Sequence, residues 1–244
     1  MLDHIHLENV LVLDIETVPV VPDYRLLPEA MKKAWNNKLF RNKEEDLPVE
    51  EHYFKYAGIY AEFGKIICIS AGAFFINKKT NALNFRIKSF AGKEEKQILL
   101  DFSDLLNHHY NDRNRHLLCG HNSKEFDFPY LCRRMLVNGL LLPKLLDISG
   151  LKPWEVNHLD TMQLWKFGDY KSYTSLELLA VIFGIPSPKQ EFDGSAVGRI
   201  FWEKDDLAKI TEYCQRDVAT VAQLLLRFKG MPLLKEEEIT FANG

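Results

Sequence analysis

The chain has 244 residues, 46% hydrophobic and 27% charged, with a formal net charge of −3. That profile excludes a disordered chain and one too small to bury a core, and it fits one large domain or one domain carrying an insertion. The slightly acidic balance weighs against a purely electrostatic nucleic-acid binder, and less against a chain whose acids gather around metal ions. Cys68, Cys119, Cys132 and Cys214 form no C-x-x-C pair. This argues against a zinc site and for reduced, mostly buried thiols in a cytosolic compartment. Met1 to Val10 lacks the apolar stretch of a signal peptide, and no apolar run reaches the length of a membrane span.

In chain order, Val10-Leu11-Val12-Leu13 reads as a short buried strand ending at Asp14. Pro19 and Pro22 interrupt regular structure, and the polar stretch from Pro28 to about Phe63, with Trp35, Tyr53, Phe54 and Tyr56, reads as a helical insertion. Ile66–Ile76 and Leu83–Phe90, separated by Asn77-Lys78-Lys79-Thr80-Asn81, are expected to pair as a hairpin. Glu94–His109 carries Ile98, Leu99, Phe102, Leu105 and Leu106 at helical spacing. A strand at Leu117–Cys119 follows, then a helix over Phe126–Asn138 closed by Gly139, and a last strand at His158-Leu159 ending at Asp160. Ser175–Phe183, Gly194–Trp202 and Asp205–Phe228 read as helices, with Asp205 as N-cap of the last. This order predicts an α/β architecture: a mixed sheet flanked by helices, with ligands at the carboxyl ends of strands.

Three patterns carry chemistry. In Leu13-Asp14-Ile15-Glu16-Thr17 the two acids stand two apart on an extended segment, hence on one face. Such a pair repels unless a cation lies between them, and a hard divalent ion with oxygen ligands meets that need. In Asn122-Ser123-Lys124-Glu125-Phe126-Asp127 a polar turn leads into a helix with Asp127 in its first turn. In Tyr213-Cys214-Gln215-Arg216-Asp217 the phenol and the carboxylate share a helical face. Taken singly, each has an ordinary structural reading: a solvated strand end, a favourable first-turn acid, a surface Tyr–Asp pair.

Together, a strand-borne D-x-E, an N-x-x-x-F-D helix start and a helical Y-x-x-x-D resemble the DEDD superfamily of 3′→5′ exonucleases. That superfamily has a ribonuclease-H-like fold. The resemblance is to stand-alone predicted exonucleases related to the proofreading domain of family B DNA polymerases. It spans Asp14 to Asp217 and includes Pro129-Tyr130-Leu131, Ser175-Leu176, Leu178-Leu179-Ala180 and Phe183-Gly184-Ile185. It implies that Asp14, Glu16, Asp127 and Asp217 hold two Mg²⁺ or Mn²⁺ ions. Glu212 stands where the histidine branch of the superfamily has its histidine, so Tyr213 implies the tyrosine branch. An unperturbed phenol titrates near a pKa of about 10, so Tyr213 is expected to orient the attacking water rather than act as base.

The resemblance further implies that Thr17, Asn122 and Phe126 grip the 3′-terminal nucleotides of a single strand, with DNA favoured. Phe126 also has a reading as core, His121 as a turn residue, Lys189 as a surface lysine and Asp160 as a supporting acid behind the site. Residues 1–244 are expected to form a single exonuclease domain, with about 20–63 as the insertion and no room for a polymerase. Two rivals remain. One is a catalytically weak nucleic-acid-binding module. The other is a haloacid-dehalogenase-type phosphatase, whose D-x-D-x-T-V start is echoed at Asp14–Val18. Glu16 departs from that pattern, and Asp205-Asp206 is a poor match to its later acidic pair.

Overall fold

The computed structural model describes residues 2–41, 47–152, 154–169, 173–186 and 194–242. Strand β1 (Val10–Pro19) is followed by helices α1 (Glu29–Arg41) and α2 (Val49–Tyr56), then by the hairpin β2 (Gly64–Ile76) and β3 (Leu83–Ala91). Next come α3 (Glu95–His109), β4 (Leu117–Gly120), α4 (Asp127–Val137), β5 (Leu159–Asp160), α5 (Thr161–Lys166) and α6 (Leu176–Ile182). The chain continues through α7 (Val197–Trp202) and α8 (Leu207–Phe228) to β6 (Ile239–Phe241). The strands form one mixed sheet in the order β5-β4-β1-β2-β3-β6. β1 runs antiparallel to β2 and parallel to β4; β3 pairs antiparallel with β2 and parallel with β6. Among the described residues, no helix is long and apolar enough to cross a membrane.

The period-2 alternation of β1 assigns its two faces. Leu11, Leu13 and Ile15 pack with Ile98, Leu99 and Phe102 of α3 and with Phe128, Leu131 and Met135 of α4. Val10 and Val12 pack on the opposite face with Val218, Val221 and Leu225 of α8, while Val18 packs there with Ile210 near the start of the same helix. Asp14 and Glu16 therefore lie on the α8 face, between two apolar contacts of β1 with one helix.

The expected strand ending at Asp14 is longer in the structure. β1 continues to Pro19 because β2 pairs with it along the whole length, from Leu11 opposite Ala73 to Pro19 opposite Gly64. β4 pairs only with Val10 to Val12 and then turns away, so one edge of β1 is open beyond that point. The register shifts between Glu16 and Thr17, where Ile67 is the extra residue on β2. Bulges of this kind re-aim side chains.

The insertion after β1 has an apolar centre of its own. Trp35, Tyr24, Tyr53 and Phe63 are buried together, and the Trp35 ring meets Tyr53 and Phe63 edge-on at 5.3 and 5.0 Å. Both the Thr17 hydroxyl and the Tyr130 hydroxyl donate to the Gly58 carbonyl at 2.8 Å, which ties the insertion to β1 and α4. At the start of α8 the N-cap is Asp206, which accepts from the Lys209 amide, and not Asp205 as the sequence suggests. Asp205 has a left-handed backbone and pairs with Lys93 instead.

Behind the sheet, Glu95 is 8% exposed and carries the paired charge of the core. It accepts from Arg134 Nε at 2.8 Å and Nη2 at 2.6 Å, from the Ile66 amide at 2.8 Å and from Asn138 at 2.9 Å. Glu95→Ala leaves a buried guanidinium unpaired, and breaking such a pair costs about 3–5 kcal/mol. Chemical denaturation of Glu95→Ala is expected to show a loss of this size; a change within about 0.5 kcal/mol, as at ordinary surface positions, contradicts the role.

Candidate active site

Because β4 ends early, the amide of Ile15 has no strand partner on the open edge of β1. Asp127, the first residue of α4, takes its place: its Oδ1 accepts from the Ile15 N–H at 3.2 Å. A buried backbone donor is thus satisfied by a carboxylate, and Asp127 is held against Asp14 and Glu16 by the same bond.

The loop from β4 to α4 is clamped by Asp160. This acid is 2% exposed. It accepts from the amides of Asn122 and Lys124, each at 3.0 Å, and caps α5 through Met162 at 3.0 Å and Gln163 at 3.2 Å. His121 straps the loop further, with its ring against the Thr161 hydroxyl at 2.9 Å and its Nε2–H donating to the Thr174 carbonyl at 3.0 Å. Gly120 makes the turn possible by close approach, since a Cβ there would stand 1.8 Å from Ser123 Oγ. Asp160 and His121 thus hold the loop through hydrogen bonds.

From α8, the buried stripe Ile210, Cys214, Val218 and Val221 faces the sheet. Tyr213 and Asp217 lie one position off that stripe and are half-buried. Tyr213 and Asp217 hydrogen-bond to each other, as their spacing of four on one face allows. Cys214 faces β1 directly: its thiol donates to the Asp14 carbonyl and to Asp14 Oδ2, each at 3.4 Å. One ligand atom from each of Asp14, Glu16 and Cys214 lies within 4.8 Å of the other two. The sequence reading missed Cys214. Its step of four from both Ile210 and Val218 was the available signal, since that period places it on the sheet-facing stripe.

Of the acids the sequence singled out, all four meet here. Burial, and then the charges of Asp127, Glu16 and Asp217, hold the Asp14 carboxyl well above its ordinary pKa. Burial, Asp217, Cys68 and Asp127 do the same for Glu16. Burial pushes Asp127 up to about 7, against the pull of Ser123 and the Ile15 amide, and Asp217 up to about 6, against the Tyr213 hydrogen bond. The Tyr213 phenol is also pushed up, by burial first and then by Asp217, Glu16 and Asp14, so it stays protonated and serves as a donor. Burial raises the Cys214 thiol too. Among the described residues, no lysine or arginine forms an ion pair with any of these four acids.

The remaining sequence candidates lie around this cluster. Thr17 is one residue past Glu16, with its hydroxyl engaged by Gly58. Asn122 has a left-handed backbone (φ 63°) and a buried side-chain oxygen without a hydrogen-bond donor. Phe126 is half-buried and packs on Tyr130 at 5.3 Å, continuous with the core. Lys189 lies outside the described residues.

A carboxyl whose folded pKa lies above its unfolded value favours the folded state at low pH, and that contribution is lost as pH rises through the interval between the two. For Asp127 the interval runs from 3.8 to about 7. With chelator present, Asp127→Asn is expected to gain stability on wild type as pH rises through this interval, by at most about 4 kcal/mol. The comparison cancels the opposing effect of His158, whose buried ring is held down to about 4. Melting curves of both proteins across this interval check it; a difference independent of pH contradicts the buried, unbalanced carboxyl.

No curated protein matches the chain. Among solved structures, the family B DNA polymerase from the hyperthermophilic archaeon Pyrobaculum calidifontis superposes with a TM-score of 0.53 at 15% identity, over 89% of this chain and 24% of the polymerase. The chain therefore spans about a quarter of that protein, and the likeness is one of fold alone, a ribonuclease-H-like mixed sheet flanked by helices. Residues 59–239 match the family described as a predicted 3′–5′ exonuclease related to the exonuclease domain of PolB. The matched span contains Asp127, Tyr213 and Asp217 and begins after Asp14 and Glu16, which the fold brings to the same place. With well over half of its length matched, the chain belongs to this family of predicted 3′–5′ exonucleases.

Proposed function

We propose that the chain is a metal-dependent 3′→5′ exonuclease, a single domain acting on the 3′ end of single-stranded nucleic acid, with DNA favoured. The observation that carries this reading is the convergence of four carboxylates with raised pKa values, which form no ion pair among the described residues, beside a protonated phenol. Such a set is unfavourable by itself and is the donor chemistry that hard divalent cations require. The residues thus fit two Mg²⁺ or Mn²⁺ ions. When bound, such ions lower the pKa of the attacking water and neutralise charge on the leaving 3′-oxygen.

In this proposal Asp14, central to the cluster, would contribute to holding both ions. Glu16 and Asp217 would help to hold one ion and Asp127 the other. Tyr213 holds the water by a hydrogen bond. A phenol titrates near a pKa of about 10 in the absence of perturbation, so at neutral pH its hydroxyl would set direction rather than act as base. Asn122, Thr17 and Phe126 border the cluster and are assigned to the terminal nucleotides; stacking of one base on an aromatic ring supplies about 1–3 kcal/mol. Single strands are favoured because the last nucleotide must leave its partner before its phosphate reaches the acids.

Digestion of end-labelled single-stranded DNA and RNA of matched sequence, with Mg²⁺, Mn²⁺ or chelator, tests the reading. Stepwise release of mononucleotides from the 3′ end is expected, abolished by chelator and slower on a blunt duplex. Asp14→Asn and Asp217→Asn are each expected to lose about 10²–10⁴ in rate while remaining folded. Near-normal rates in both variants would refute the assignment of the acids.

Tyr213→Phe keeps the ring and removes the hydroxyl. Positioning of water acts in the transition state, so kcat is expected to fall with little change in KM, and by less than for Asp14→Asn. An unchanged kcat in a variant with an unchanged melt removes Tyr213 from the reaction.

A further inference from the structure

We propose that Cys214 makes the Asp14–Glu16 position a mixed oxygen–sulfur site that takes thiophilic divalent cations, of the class of Cd²⁺, Zn²⁺ and Co²⁺, through its thiolate. The inference rests on the metal reading above and goes beyond it, because the four acids alone offer only hard oxygen donors.

Three observations carry it. The thiol is the sheet-facing residue of α8 directly opposite the acids, and its Sγ lies within 4.8 Å of a ligand oxygen of both Asp14 and Glu16. The 3.4 Å from Cys214 Sγ to Asp14 Oδ2 is close to the sulfur–oxygen edge of about 3.6 Å that follows from tetrahedral zinc with bonds of about 2.3 and 2.1 Å. Finally, Glu16 is 7% exposed, so the three donors share a largely enclosed place. Two carboxylates and a thiol within one ion's reach are a donor set that a cation can complete.

Hard and soft ions use this set differently. Mg²⁺ is drawn to oxygen and gains little from sulfur, whereas thiolate selects for softer cations. On binding, the thiol loses its proton to solvent as the sulfur–metal bond forms. Two carboxylates and one thiolate supply three protein ligands and leave the fourth tetrahedral position open. The absence of a C-x-x-C pair excludes the usual cysteine-rich zinc site and leaves this one possible, because its donors come from β1 and α8, about 200 residues apart in sequence.

The test uses the full chain, freed of metal, and Co²⁺ alone as the first probe. A sulfur-to-cobalt charge-transfer band in the near ultraviolet is expected, lost in Cys214→Ser and kept in Cys132→Ser. Melting curves with Cd²⁺ and with Mg²⁺ are expected to show the ratio of Cd²⁺ to Mg²⁺ affinity falling about tenfold or more in Cys214→Ser. A band that survives in Cys214→Ser overturns the proposal. If Mn²⁺ raises the wild-type melting temperature but Co²⁺ gives no sulfur band, the thiolate ligand is overturned and the acids keep their metal. If no divalent cation shifts the melt, the metal reading falls and this inference with it. Should Cys214→Ser not fold, Asp14→Asn and Glu16→Gln take its place: each is expected to weaken or abolish the band, and a band indifferent to both overturns the site.

Discussion

Four carboxylates brought together in a largely buried place repel one another and resist desolvation, and much of the local architecture around the sheet's open edge holds them there. Asp14 and Glu16 cannot leave the α8 face without slipping β1 by one residue, which would expose Val10, Val12 and Val18. The apolar contacts of α8 with β1 on either side of the acids therefore act as clamps. Asp127 is fixed by the Ile15 amide, and Asp217 is fixed by the turn of α8 that also carries Tyr213. The unfavourable electrostatics are local, and the hydrophobic burial that offsets them is spread over the whole sheet.

Among the described residues, largely enclosed acids meet three fates, and the contrast sets one group apart. Glu95 is neutralised by the Arg134 guanidinium. Asp160 is satisfied by four backbone amides, two in the loop before α4 and two at the start of α5. Both acids have partners and stiffen the protein. Among the described residues, Asp14 and Glu16 have no ion pair and no amide hydrogen bond at their carboxylates, and the Cys214 thiol donates to Asp14 Oδ2. Functional sites collect such unbalanced groups, because a ligand can then supply what the fold withholds.

The chemistry open to the site depends on how these groups are shared between elements. β1 supplies two acids, the start of α4 a third, and α8 the fourth with the phenol and the thiol. In the proposed reaction a phosphodiester would need charge stabilised on two oxygens at once, by cations that acids from three elements would hold. Cys214 adds a softer donor to the same wall, so one arrangement of backbone presents both hard and soft ligands.

The pairing of Asp14 with Glu16, the Asn122-to-Asp127 helix start and the pairing of Tyr213 with Asp217 could be read from local spacing, because each lies within a single element, but singly each had an ordinary structural reading and only the resemblance joined them into one expected site. The hairpin, the insertion, and the helices ending at His109, Val137 and Phe228 were legible for the same reason. The extension of β1 to Pro19 was hidden, since it depends on pairing with β2 rather than on any apolar run. So was β6, three residues that become a strand only by lying beside β3, and α5, a short helix begun by the Asp160 cap. Asp205 and Asp206 are equally good caps by residue type; the left-handed turn at Asp205 leaves the capping position to Asp206. Periodicity put Cys214 on a buried stripe, but only the crossing of α8 over β1 decided that the stripe faces two carboxylates. The residues of the site were thus written in short-range patterns, and their meeting was decided by contacts about 200 residues apart, which no local period encodes.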